Sequence, residues 1–236
     1  MNKLLLFFAY SLVSYFVSNA YALDELECSG GFKELDTTKL FSDVEERYKK
    51  INDFSARFIQ ESFFLGSDQK EQSLGDVYFK RPGKMDWEYS TPDTQRFVSD
   101  SKIVWWYQPK QNQVSIRNLE KSFTSDVPLS FLLGVGNLKE KFTLDSVCAS
   151  QRGILLKLTP KAKDNNLQDF YLLVDAKDHS PVGAKIVDIG GNENSILFTE
   201  LKYNIGVEEK HFSFDIPKGT DIIDERAASN VNLEIK

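Results

Sequence analysis

Hydrophobic and polar residues repeat along the chain with two periods. Between Asp36 and Ile51 the positions Leu40, Val44, Tyr48 and Ile51 recur every three or four residues, and Phe41 widens the stripe. That spacing predicts an amphipathic helix whose apolar face lies on a sheet. Asp36 or Thr37 can cap it, and Glu45 stands four residues before Lys49, a favourable pair on a helix surface. From Phe54 onward the period falls to two. Phe54, Ala56 and Phe58 alternate with Ser55 and Arg57, and Met85, Trp87 and Tyr89 alternate with Asp86 and Glu88. Such alternation is the mark of half-buried strands. Further strands are predicted at 74–80, 84–89, 95–99, 103–107, 113–117, 142–147, 154–159, 169–174, 182–188, 195–203 and 210–214. Turn chemistry separates them, as in Gly66-Ser67-Asp68, Arg81-Pro82-Gly83 and Ser90-Thr91-Pro92-Asp93. Many short strands at such spacing predict a mainly β fold, a single antiparallel sheet that is curled or closed.

One segment breaks the alternation. In 125–138, Asp126 can cap a helix, Pro128 suits its first turn, and Gly134 stops it. Leu129, Phe131, Leu132 and Leu133 make that short helix apolar nearly all round. It must be buried or must cover something apolar. The residues alone leave two readings open, a core helix plugging the sheet and a lid over a pocket.

The first 22 residues change the setting. Lys3 precedes a run from Leu4 to Val17 that only Ser11 and Ser14 interrupt, and Ala20-Tyr21-Ala22 is a small-residue cleavage site. This predicts a secretory signal peptide, 1–22, cleaved after Ala22. The leader holds one of the 29 basic residues and none of the 35 acidic ones, so the mature chain carries 28 against 35, a net charge of −7. An acidic chain has no electrostatic reason to bind nucleic acid. Hydrophobic residues at 41% and aromatic residues at 13% exclude a disordered acidic tail. Export permits a disulfide between the two cysteines, Cys28 and Cys148, with a pair of buried free thiols as the alternative. The charged Glu25-Leu26-Glu27 before Cys28 does not suit lipidation there. The expected organisation is the signal 1–22, an N-terminal extension 23–36, one domain 37–224 and a tail 225–236.

Catalytic chemistry is poorly represented. His179 lies in a turn and His211 among alternating residues, and neither belongs to a nucleophile elbow or a paired-histidine motif. Asp178-His179-Ser180 lists the residue types of a triad, but neighbours in one turn cannot build its geometry. Gly190-Gly191-Asn192 is a hairpin signal, with no helix after it to bind phosphate. The expectation is therefore a protein that is not an enzyme and takes no cofactor or metal. Its aromatic-rich sheet face either forms an ordinary core or encloses an apolar ligand.

The stretch 75–114, GDVYFKRPGKMDWEYSTPDTQRFVSDSKIVWWYQPKQNQV, resembles the outer-membrane lipoprotein carrier family, LolA. The shared pattern is a glycine-led strand, Lys80-Arg81-Pro82-Gly83, the Trp87-x-Tyr89 strand, the turn from Pro92 to Gln95, a hairpin at Asp100-Ser101-Lys102, and tryptophans leading to Gln113-Val114. Phe58-x-Gln60, the 128–134 helix, Leu158-Thr159-Pro160-Lys161, Asp188-x-Gly190 and Phe212-x-Phe214-x-x-Pro217-x-Gly219-x-Asp221 extend it over about 40–223. Each motif is weak alone, and their order is what makes the resemblance specific. Three features depart from it. Ser101 replaces a usual glycine, Met85 replaces a common aromatic, and neither 28–36 nor the last dozen residues have a clear counterpart.

The resemblance implies an incomplete, strongly curved β-barrel with a helical lid, working in the periplasm as a monomer. It implies acylated lipoproteins as cargo, taken from an inner-membrane ABC release complex and passed to an outer-membrane acceptor. Phe54, Phe58, Val77, Phe79, Met85, Trp87, Tyr89 and Trp105 would line the acyl-chain cavity. Leu129, Phe131, Leu132 and Leu133 would form the lid. Without the resemblance Arg81 reads as part of a solvated turn, and with it Arg81 becomes the latch that bonds the lid and holds the empty cavity closed. A general periplasmic lipid-binding protein or an envelope sensor of the same fold is the alternative.

Overall fold

Alternating residues from Asp53 to Tyr203 build eleven strands of one twelve-stranded sheet. The computed structural model describes residues 26–30, 36–119, 138–161 and 167–226. In chain order the strands are β1 (Asp53–Phe64), β2 (Gln69–Lys80), β3 (Lys84–Thr91), β4 (Gln95–Asp100), β5 (Ile103–Gln108), β6 (Gln113–Asn118), β7 (Phe142–Ser150), β8 (Gly153–Pro160), β9 (Leu167–Val174), β10 (Pro181–Asp188), β11 (Glu193–Tyr203) and β12 (Asp221–Asp224). Their spatial order is β12-β6-β5-β4-β3-β2-β1-β11-β10-β9-β8-β7. Two meanders, β1 to β6 and β7 to β11, thus join where β1 pairs with β11. β12 and β7 stand at opposite ends of the order, so the curved sheet is not closed into a barrel.

Helix α1 (Thr37–Lys49) forms as its apolar spacing predicts. Asp36 caps it by accepting from the Lys39 amide, and Glu45 meets Lys49 at 3.6 Å. Its face of Leu40, Phe41, Val44 and Tyr48 is buried in one continuous core with Phe54, Phe58, Val77, Phe79, Phe142 and Phe170. The side of the sheet in that core is called the inner face below. A one-turn helix α2 (Leu138–Lys141) leads into β7.

The outer face is covered only in patches. At one end Leu26 packs with Ile59, Leu155, Leu173 and Leu197, and Cys28 is bonded to Cys148. At the other end the segment after β11 returns over β2 to β6. Glu209 there pairs with Lys80 and Lys84, and Phe214 packs on Tyr107.

Two sequence expectations change here. The strand expected at 210–214 is instead a 3-10 helix, Glu209–Phe212, followed by an extended Ser213. Side-chain contacts with the outer face hold this segment: the His211 ring stacks on Tyr78 at 3.8 Å, and Phe212 is buried. The edge strand β12, which pairs in parallel with β6, carries no alternation of its own in Asp221-Ile222-Ile223-Asp224. Ser101, where the resemblance has glycine, keeps a left-handed backbone at φ +88°. The Ser99 hydroxyl and the Asp100 carboxylate hold that turn by accepting from the amides of Ser101, Lys102 and Ile103.

Candidate functional site

Strand register decides which large side chains share a face. Phe54, Phe79, Met85 and Ser99 lie side by side across β1 to β4, and Ala56, Val77, Trp87, Phe97 and Trp106 form the next row. Phe58, Gly75, Tyr89 and Gln95 form a third, and Phe198 continues it on β11. Seven of the eight expected lining residues therefore stand together on the inner face: Phe54, Phe58, Val77, Phe79, Met85, Trp87 and Tyr89. Their rings interlock. Phe54 lies 5.2 Å from Phe79, and Phe58 lies 5.1 Å from Trp87 and 4.9 Å from Tyr89.

Trp105 is the correction. Its row is Tyr78, Asp86, Val98, Trp105 and Ile116, which points to the outer face. Trp106 takes the inner position, stacked on Phe97 at 5.3 Å. In Ile103-Val104-Trp105-Trp106-Tyr107 either tryptophan fits a period of two, and a slip of one residue exchanges the faces. Phe97, Trp106 and Phe198 are inner-face residues that the sequence reading missed, and only register could have found them.

Gly75 shows how tightly this face is built. A Cβ there would sit 2.0 Å from the Glu88 carbonyl and 2.7 Å from the Phe58 ring. The missing side chain leaves room for the Phe58 ring, which meets Tyr89 edge to face. Polar atoms on the face are answered locally. The Tyr89 hydroxyl donates to Gln60 at 2.7 Å, and Trp106 Nε1 donates to Gln95 at 3.0 Å. Burial pushes the Tyr89 phenol up to about 12, so it stays neutral at any physiological pH.

Depth varies across the face. Phe58, Val77, Phe79 and Met85 are at most 2% exposed, whereas Tyr89, Phe97 and Trp106 are only half-buried. The fully buried group shares its core with α1. The half-buried aromatics leave an apolar surface next to it, the part of the sheet on which further apolar groups can be laid.

The rim carries the polar ties. Arg81 follows β2 and its guanidinium donates to the Tyr48 carbonyl in the last turn of α1 at 3.0 Å, while lying 4.4 Å from the Tyr48 ring centre. Its Nε, also buried, has no partner among the described residues. Asn204 donates to the Lys50 carbonyl and accepts from the Asn52 amide. Arg47 reaches the Asp178 carboxylate at 2.8 Å and lies over the Tyr203 ring. Burial opposes ionisation of Asp178, but bonds from Ser180 and Arg47 outweigh it and hold the carboxyl below its ordinary range. Three separate turns thus grip the C-terminal half of α1. The expected lid residues Leu129, Phe131, Leu132 and Leu133 lie outside the described residues, so the contact shown for Arg81 is the one to α1.

On the outer face Asp86 is fully buried. Arg96 clasps it with two bonds of 2.7 and 2.8 Å, and His211 Nδ1 lies 3.2 Å away. This cluster fastens the returning C-terminal segment to β3 and β4. The other expected histidine, His179, sits 3.9 Å from Asp43 on α1, remote from that cluster in the strand order.

The chain is similar to known proteins over most of its length. An outer-membrane lipoprotein carrier protein of Hahella chejuensis is 33% identical over 179 residues, 75% of this chain and 84% of the relative. One from Methylococcus capsulatus is 28% identical over 206 residues, covering 85% and 95%. An uncharacterised conserved protein from Thermus thermophilus, of known crystal structure, superposes with a TM-score of 0.51 over 80% of this chain and 99% of its own at 16% identity, which shows the fold. The family described as outer membrane lipoprotein carrier protein LolA matches residues 49–215, which span the inner-face aromatics, Arg81 and the whole paired sheet from β1 to β11, and the chain belongs to that family.

Proposed function

We propose that the mature chain shuttles through the periplasm with the acyl chains of a lipoprotein against the inner face of its sheet. It collects the cargo from an inner-membrane ABC release complex and yields it to an outer-membrane acceptor. The observation that carries this reading is the interlocked aromatic face covered by α1, with Arg81 clasping the helix at the rim. The signal-like residues 1–22 and the membership of a lipoprotein carrier family agree with it.

The energetics of acyl chains require such a device. Burying one methylene stabilises by about 0.8 kcal/mol, so a chain of roughly 15 gains on the order of 12 kcal/mol on leaving water. A lipoprotein cannot cross an aqueous compartment unshielded. A site that captured the whole gain would never release its load. Displacing α1 costs the Arg81 bond and the buried contacts of Leu40, Phe41, Val44 and Tyr48, so the loaded carrier sits higher in free energy than burial alone would place it. Transfer to an open apolar acceptor is then downhill. Arg81 suits the task because its fixed fork carries several donors, and the structure commits one to Tyr48. The apolar 128–134 helix is assigned to the same cover on the family resemblance.

The test is release. Spheroplasts holding newly made lipoproteins in the inner membrane are incubated with the purified mature chain. Acylated lipoprotein should appear in the supernatant as a one-to-one soluble complex. Copurifying phospholipid or free fatty acid without lipoprotein release would instead identify a general lipid-binding protein of this fold.

A further inference from the structure

We infer that the neighbouring tips of the β1–β2 and β10–β11 hairpins form an apolar knob that docks this chain onto a membrane-anchored envelope protein, into an apolar pocket rimmed by basic side chains. Among the described residues six large apolar side chains are exposed, and three of them stand on these two tips: Phe64 at 46%, Leu65 at 57% and Ile189 at 68%. Single exposed apolar residues are ordinary, whereas turns are built from small and polar residues, so three large apolar groups on two adjoining turns call for a partner.

The corner is held in shape. Asn192 Oδ1 accepts from the Leu65 amide at 3.1 Å and so joins the two hairpins. Asp188 fixes Asn192 by accepting from its amide and its side chain at 2.9 and 2.8 Å. Gly191 has a left-handed backbone at φ +76°, and a Cβ there would come within 2.7 Å of the Leu65 side chain, so Leu65 rests directly on the β10–β11 turn. The pairing of β2 with β3 stops at Leu74, and the residues Gln69 to Ser73 pair with β1 alone. The hairpin therefore stands about 17 Å beyond the last β3 pair.

Charge selects the partner. Glu61 pairs with Lys70 at 3.1 Å and Glu193 with Lys185 at 2.7 Å. Asp68, Glu71 and Asp188 remain in excess, so 61–72 and 185–194 together carry a net charge of −3. Bonds from Asn192 and from the turn amides hold the Asp188 carboxyl below its ordinary range, so it stays ionised. A bilayer bearing anionic lipids repels such a corner. A protein pocket with an apolar floor and lysines or arginines at its rim answers both the knob and its charge. Position decides what docking leaves free. β1 runs from Asp53, beside Lys80 and the Arg81 clasp, to Phe64, about 36 Å away. The knob is formed while α1 is seated on the core, and a partner there leaves the C-terminal half of α1 uncovered. That the partner stands on a membrane rests on the carrier role proposed above.

Binding of the fluorescently labelled mature chain to sonicated envelope vesicles, which expose both faces of both membranes, tests this. The native chain should bind saturably, and neither protease-shaved vesicles nor liposomes of the extracted lipids should bind it. Phe64→Ser/Leu65→Ser/Ile189→Ser should raise the half-saturating concentration at least about tenfold, with Tm and fluorescent fatty acid binding unchanged. Ile189→Ser alone guards against a distorted tip and should weaken binding severalfold. Asp68→Asn/Glu71→Lys cancels the excess charge and should also weaken binding, by a factor that shrinks as salt is added. Equal binding by the native chain and the triple variant would overturn the inference, as would the absence of saturable binding by the native chain. Binding to protein-free liposomes that the triple variant loses would make the knob a lipid anchor and overturn the protein partner. Unchanged or tighter binding by the charge variant would overturn the basic rim. Lipoprotein release from spheroplasts reports on the carrier role separately. Docking that depends on the knob, without release, keeps the knob and counts against the carrier, and release without such docking does the reverse.

Discussion

Arg81→Leu is the sharpest perturbation of the cover. The substitution removes a charged hydrogen bond to the Tyr48 carbonyl and a guanidinium stacked 4.4 Å from the Tyr48 ring centre. A bond from a charged donor is worth about 1.5–3 kcal/mol, and a partly desolvated cation on an aromatic ring about 1–2. Some of that returns, because the buried Nε of Arg81, which has no partner among the described residues, costs about 1–3 kcal/mol and leucine has no such atom. The net loss of hold on α1 is therefore about 1–3 kcal/mol, or roughly 5–150-fold in the population of the undocked helix. A ligand that needs the open state binds with an apparent Kd equal to its intrinsic Kd divided by the open fraction, so a fluorescent fatty acid should bind tighter by the same factor while the open fraction is small. Exchange of the α1 amides should rise in parallel. Cargo should load from spheroplasts at least as well as with the native chain, and transfer to acceptor-bearing outer membranes should slow, since the loaded state has been stabilised. Unchanged affinity and exchange would show that α1 does not limit access. Tighter binding with normal transfer kinetics would refute the latch as the source of directional handover.

Other consequences follow from single sites. Ser101→Gly relieves a left-handed backbone that costs a residue with Cβ about 1–2 kcal/mol and adds some unfolded-state freedom, so Tm should rise by about 2 °C; a fall would mean that the turn relaxes around serine. Asp86→Ala leaves the Arg96 guanidinium without its buried partner and should destabilise by about 3 kcal/mol in urea, without altering acyl binding on the opposite face. Bonds from Lys80 and Lys84 lower the Glu209 carboxyl to about 2. Its folded value lies below its ordinary one, so its contribution is present above pH about 4.5 and is lost as pH falls toward 2. Glu209→Gln should flatten stability in that window, and a carbon NMR titration of the carboxyl should show the depressed midpoint.

Much of this molecule is legible in the chain itself. Helical spacing of Leu40, Val44 and Tyr48 locates α1, and alternation with turn residues locates eleven of the twelve strands, because both periods are imposed by backbone geometry and read locally. The ordered turn motifs around Arg81 point to the carrier family. What local pattern could not supply is the choice between two faces of a strand. Trp105 and Trp106 are equivalent to a period of two, and only the pairing of β4 with β5 turns one inward and the other outward. The partner of Arg81, the packing of 209–214 and the pairing of Cys28 with Cys148 were likewise decided by tertiary contacts between residues far apart in the chain, at separations of 33, 125 and 120. Sequence determined which elements form, since that depends on neighbours within a turn or two. Their juxtaposition depends on long-range burial and pairing, which no local window contains.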